Sequence, residues 1–144
     1  MLKIVSMMLA FAGGLLAAGE REGRACSVAT LKGTYGTIVT GTRPSGPPPA
    51  PLEQMIAVAL THFDGQGHST GTDNIHGSIS GAATDRPATG TYTINEDCSG
   101  TMTLLITGAP PLELRVVVVD KGKEFRGVVM SPASVMVTFN GRRI

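Results

Sequence analysis

The residues to question first are the three histidines, His62, His68 and His76, because imidazole titrates near neutral pH and is the commonest side-chain metal ligand. Their geometry depends on the turn signal Asp64-Gly65-Gln66-Gly67, where glycine accepts the positive φ of a tight hairpin. Pairing Phe63 with His68 across that turn sets His62 opposite Ser69, Leu60 opposite Gly71 and Val58 opposite Asp73. In this register Ile56, Val58, Leu60, His62, Asp73 and Ile75 share one face. The other face carries Met55, Ala57, Thr61, Phe63, His68, Asn74 and His76. His62 and His68 then point opposite ways, so no metal site is expected. His62 and Asp73 share a face, but four residues along a strand span about 13 Å, too far for a base and its orienting carboxylate. The chain also lacks GxSxG, a phosphate loop, HExxH and an acidic calcium loop, so no cofactor is implied.

A second polar constellation lies near the C-terminus. Leu112, Leu114, Val116, Val118, Phe125 and Val129 fall on one face of a hairpin, which reads as core. Glu113, Arg115, Val117, Val119, Glu124 and Arg126 fall on the other. A solvated exterior with weak cross-strand ion pairs is expected there, since four charges inside a small barrel would be costly to desolvate. Were the register to turn them inward, the four charges Glu113, Arg115, Glu124 and Arg126 would form the best polar site, with Arg115 and Arg126 as the residues whose mutation would abolish ligand binding. Tyr35 and Tyr92 sit in matching Gly-Thr-Tyr contexts, where a ring can pack while its hydroxyl finds a partner. The alternative is a phenol that lines a cavity and orients a ligand.

The elements that must carry these groups are strands. Val, Ile and Thr supply 36 of 144 residues, and β-branched side chains suit a pleated, half-buried surface. Turn signals arrive at the spacing of antiparallel meanders and predict eight strands, near 31–42, 54–63, 68–79, 89–95, 101–107, 112–120, 124–130 and 135–140. Residues 43–51 are proline-rich and read as an exposed, semi-rigid loop; residues 81–88 read as a polar connection. Connections this short leave no room for crossover helices, so the class is all-β and the sheet antiparallel. An eight-stranded up-and-down barrel is expected, with a two-sheet sandwich as the alternative. Gly-Thr recurs six times without a fixed period, which excludes a solenoid repeat.

The first nineteen residues differ from the rest. Lys3 is their only charge, an apolar run from Ile4 to Ala18 follows, and Ala17-Ala18-Gly19 precedes Glu20. This pattern predicts an export signal cleaved after Gly19 and one domain over residues 20–144. As a membrane anchor the run is short and broken by Gly13-Gly14. Without Lys3, 11 basic and 11 acidic side chains balance, leaving no basic stripe for nucleic acid and no long-range steering of charged partners. A secreted or periplasmic location is expected, with no membrane association after cleavage. In such a compartment Cys26 and Cys98, the only cysteines, have a single pairing available, and a loop this long would add about 4 kcal/mol. Without a CxxC motif, neither redox catalysis nor a thiolate metal site is expected.

Three segments carry a resemblance: Leu31-Lys-Gly-Thr-Tyr-Gly36; Thr61-His-Phe-Asp-Gly-Gln-Gly67 with Gly71-Thr72; and Thr89-Gly-Thr-Tyr-Thr-Ile-Asn95 with Asp97-Cys-Ser-Gly-Thr-Met-Thr103. Together they resemble exported β proteins of soil and environmental bacteria, a group that implies no activity. The strand count is similar to that of calycin-like barrels, including lipocalins and the allene oxide cyclase type, without their Gly-x-Trp, because the chain has no Trp. That resemblance implies a barrel that binds or cyclises an apolar small molecule. The expected wall of such a container is Ile56, Val58, Leu60, Leu104, Ile106, Val116, Val118 and Phe125. The alternatives are a cyclase or isomerase that shapes an apolar substrate, and an envelope or matrix component without a ligand.

Overall fold

The computed structural model describes residues 25–144; the expected export signal lies outside the described residues. Eight antiparallel strands follow in chain order: β1 (Lys32–Pro44), β2 (Leu52–Asp64), β3 (His68–Gly77), β4 (Gly81–Ile94), β5 (Ser99–Ile106), β6 (Leu112–Val119), β7 (Glu124–Ser131) and β8 (Met136–Arg143). Each pairs with its neighbours in sequence, and β1 pairs with β8, from Tyr35 against Arg143 to Thr42 against Met136. The sheet is therefore a closed up-and-down barrel with no free edge. The sandwich alternative is excluded by that closure.

Two departures from the sequence reading set what faces inward. The first is at the β2–β3 turn. The Asp64 carboxylate accepts the N–H groups of Gln66 at 2.7 Å and His68 at 3.0 Å, which holds Gly65 and Gly67 at positive φ. The loop is thereby one residue longer than the pairing of Phe63 with His68 requires, and Phe63 pairs with Ser69. A one-residue slip exchanges the faces of β3 relative to β2. Asp73 and Ile75 consequently lie with Met55, Ala57 and Phe63, inside the barrel, and all three histidines project outward.

The second departure is β4, which begins at Gly81 rather than near Thr89. Thr84 and Asp85 together oppose the single residue Asn74, a bulge that the Asn74 side chain stabilises by accepting the Asp85 N–H at 3.0 Å. Asp85 takes φ 50° there. A polar stretch containing Pro87 looks like a loop, yet the bulge absorbs the irregularity and lets Arg86 pair with Asp73.

One end of the barrel is plugged. A short 3-10 turn, Val28–Thr30, crosses it above the fully buried Leu31, and Cys26 is disulfide-bonded to Cys98 with a Cα–Cα distance of 5.0 Å. Tyr35, Phe63, Tyr92 and Phe125 meet edge to face beneath it, with ring centroids 5.2–5.8 Å apart. The Tyr92 hydroxyl donates to the Leu31 carbonyl at 2.8 Å and accepts the Gly65 N–H at 3.0 Å. The Tyr35 hydroxyl donates to the Gly122 carbonyl. Gly122, at φ 85°, lies so close to the Thr30 carbonyl that any Cβ would collide with it. Both tyrosines thus seal the closed end, and burial pushes both phenols above their ordinary range.

Candidate functional site

The interior holds a cavity of about 480 Å³. Its floor is Phe63 and Phe125, and its rim, at the end opposite the plug, is built by residues 44–48, residues 108–110 and Pro132, Ser134 and Val135. The space follows from side-chain size. On β6 and β8 the inward positions hold Leu112, Leu114, Val116, Val118, Val137 and Phe139. On β2 to β4 many inward positions hold small residues instead, Ala57, Ala59, Thr61, Ser69, Gly71, Ala88 and Gly90, which do not reach the opposite wall. An eight-stranded barrel is just wide enough for ordinary side chains to fill, so a run of small ones leaves room for a ligand.

The eight expected wall residues divide accordingly. Leu104, Ile106 and Phe125 line the cavity. Val116 and Val118 also point inward but are packed into the core, 2% and 4% exposed. Ile56, Val58 and Leu60 do not belong to the wall: they lie on the outer surface at 63%, 53% and 51% exposure. Alternation identifies two faces of β2, and the bulkier face is the natural choice for the inside. Here the small face lines the cavity, so the bulkier one is left outside.

The exterior reading of the charged hairpin holds. Arg115 is exposed, and Arg126 donates outside the barrel to Glu124 and Asn140, each at 3.0 Å. His62 and Asp73, expected on one face, lie on opposite sides of the wall; His62 sits 3.2 Å from the Thr34 hydroxyl at the surface. No three metal-ligating side chains cluster among the described residues.

The interior polar groups are Asp73, paired with a different residue than His62, and Arg86, Glu53 and Thr37, which no sequence motif singles out. Arg86 grips Asp73 in a bidentate pair, Nε–Oδ1 2.8 Å and Nη2–Oδ2 2.6 Å. At the rim, Glu53 is 2% exposed and accepts four hydrogen bonds: from Arg43 Nε (3.0 Å), the Ser80 hydroxyl (2.7 Å) and the N–H groups of Ile79 (2.9 Å) and Ser80 (2.8 Å). It thereby pins the β3–β4 turn to β1. Thr37 is 4% exposed, and its Oγ1 is the one buried side-chain polar atom without a hydrogen-bond partner among the described residues. The signal for Glu53 and Arg86 was a charged residue at an inward position, visible only once the register is known.

Burial pushes the Glu53 carboxyl up, but the hydrogen bonds from Ser80, Ile79 and Arg43 outweigh it and hold the group at about 2. The unfolded chain therefore takes up a proton first as the pH falls. The stability that Glu53 contributes is complete above its ordinary value near 4.5 and is lost as the pH drops toward 2. Glu53→Gln is expected to cost about 2 kcal/mol at neutral pH by leaving donors unpaired. The variant should also flatten the acid limb of a thermal unfolding series between neutral pH and pH about 3. An acid limb identical to the parent's would mean that the carboxylate is not what holds the turn.

No protein-family model, curated protein or solved structure matches the chain.

Proposed function

We propose that the protein is an extracytoplasmic container for a small apolar molecule, held in the barrel and admitted through the rim around residues 44–48. The observation that carries this reading is the cavity of about 480 Å³. Its volume lies within the range of small-molecule sites, roughly 300–1,000 Å³, and its walls are mostly apolar with a few placed polar groups. A matrix component without a ligand would gain stability by filling that space, since voids in a core are destabilising. The disulfide fits an oxidising compartment, in agreement with the expected export signal. Both charged pairs at the cavity are internally neutralised, so an apolar occupant meets no net charge there. The same pairing favours a container over an acid–base enzyme, because Asp73 and Glu53 are already committed to arginines.

Two measurements test the reading. Native mass spectrometry of protein purified from its own periplasm or medium is expected to show a co-purified small molecule. Ala57→Phe, which places a ring in the cavity, is expected to reduce binding of an apolar fluorescent probe by tenfold or more (~1.4 kcal/mol) while unfolding remains cooperative. Undiminished probe binding in that variant would place the probe elsewhere and remove the container.

A further inference from the structure

The inner wall carries its polar groups in one row. Register pairs Thr37 of β1 with Ala59 of β2, Ala59 with Asp73 of β3, and Asp73 with Arg86 of β4, and all four residues line the cavity. Neighbouring strands lie about 4.8 Å apart, so the Thr37 hydroxyl and the Asp73–Arg86 pair flank a gap about two strands wide. Ala59 leaves that gap unfilled.

The row offers donors on both of its flanks. Each Asp73 oxygen accepts one hydrogen bond from Arg86, at Nε and Nη2, which leaves the two guanidinium hydrogens on Arg86 Nη1 uncommitted. On the other flank, Thr37 Oγ1 has no partner, and a buried hydroxyl without one is costly. Thr37 stands on the cavity wall, where rotation about χ1 exchanges its methyl for its hydroxyl. Two donors thus flank Ala59, and each can be satisfied by an acceptor oxygen on the occupant. The charged residues lining the cavity are Arg43, Asp73 and Arg86, and each is already in an ion pair, Arg43 with Glu53. A carboxylate would therefore enter an apolar space without an unpaired cation to receive it, at a heavy desolvation penalty.

We infer that the occupant is a neutral apolar molecule carrying a carbonyl-type oxygen, which seats over Ala59 and accepts a hydrogen bond from Thr37. This rests on the container reading and specifies what the container recognises. Thr37 is then a positioning and specificity residue that the free protein keeps at a cost.

The test compares three probes of equal chain length, a medium-chain methyl ketone, the alkane and the carboxylate, by calorimetry or fluorescent-probe displacement on the parent and on Thr37→Val. The parent is expected to bind the ketone about five- to tenfold more tightly than the alkane and at least tenfold more tightly than the carboxylate. In Thr37→Val, which keeps the shape, ketone affinity should fall to that of the alkane while alkane affinity stays unchanged, showing that the cavity is intact. The ligand-free variant should also melt higher than the parent, because the unpaired hydroxyl is gone. Equal affinities for ketone and alkane, or a ketone affinity that Thr37→Val does not alter, overturns the inference and leaves the container standing. Binding of the carboxylate as tightly as the ketone overturns it as well. If none of the three probes binds, the container itself fails.

Discussion

Replacing Arg86 by methionine is expected to lower stability by about 3 kcal/mol, a fall in the thermal midpoint of roughly 10 °C for a domain of this size. The side chains of Arg86 and Asp73 are 14% and 10% exposed, and the guanidinium makes the only hydrogen bonds that the Asp73 carboxylate receives among the described residues. Removing it leaves a nearly buried carboxylate without a counter-charge, which is the costly way to break such a pair. Replacing both partners, Asp73→Leu with Arg86→Met, should recover most of the loss, because an apolar pair of similar volume has no desolvation debt. A double-mutant cycle followed by urea or thermal unfolding measures the difference. A single-variant cost below about 1 kcal/mol would mean that water reaches the pair freely, as at an exposed ion pair.

The second large effect is the disulfide. Cys26 and Cys98 are 72 residues apart in the chain, and closing a loop of that length stabilises the folded state by about 4 kcal/mol in the chain-entropy account. Cys26→Ala with Cys98→Ala should lose that amount, seen as a drop of roughly 15 °C in thermal midpoint. The damage should be local as well as global. The bond tethers the segment whose Leu31 carbonyl receives the Tyr92 hydroxyl and whose Thr30 carbonyl packs against Gly122. Amide exchange at Gly65, whose N–H is donated to the Tyr92 hydroxyl, is expected to accelerate in the variant more than exchange in the centre of β6. Uniform acceleration along the chain would show that the plug has no separate dependence on the bridge.

The rim and the plug assign different tasks to the two ends of the barrel. At the plug, aromatic rings, the Tyr92 hydrogen bond to Leu31 and the disulfide converge on one short turn, and at the rim a single carboxylate, Glu53, holds a turn beside a proline-rich loop. On the container reading, exchange between solvent and cavity is expected at the rim, where fewer buried contacts oppose local opening.

Fold class, strand number, the cysteine pair and the core face of β6 and β7 were legible along the chain, because each rests on local composition or on the twofold period of a strand. Leu112, Leu114, Val116 and Val118 alternate with charged or exposed partners, and the large face is the inner one. The same period on β2 misleads. It separates Ile56, Val58 and Leu60 from Met55, Ala57 and Ala59, but it has no sign, and only closure of the ring through β1 and β8 determines which set turns inward. The position of Asp73 depended on one extra loop residue at Asp64, and that of Arg86 on a bulge opposite Asn74. Neither leaves a periodic trace. Thr37, Asp73 and Arg86 are 36 and 13 residues apart and become neighbours in a row only through three successive strand registers. Local periodicity is a property of adjacent residues and can be read from their order. A cavity, and the polar row within it, is a sum over registers around a closed ring, where one residue of slip reverses a wall.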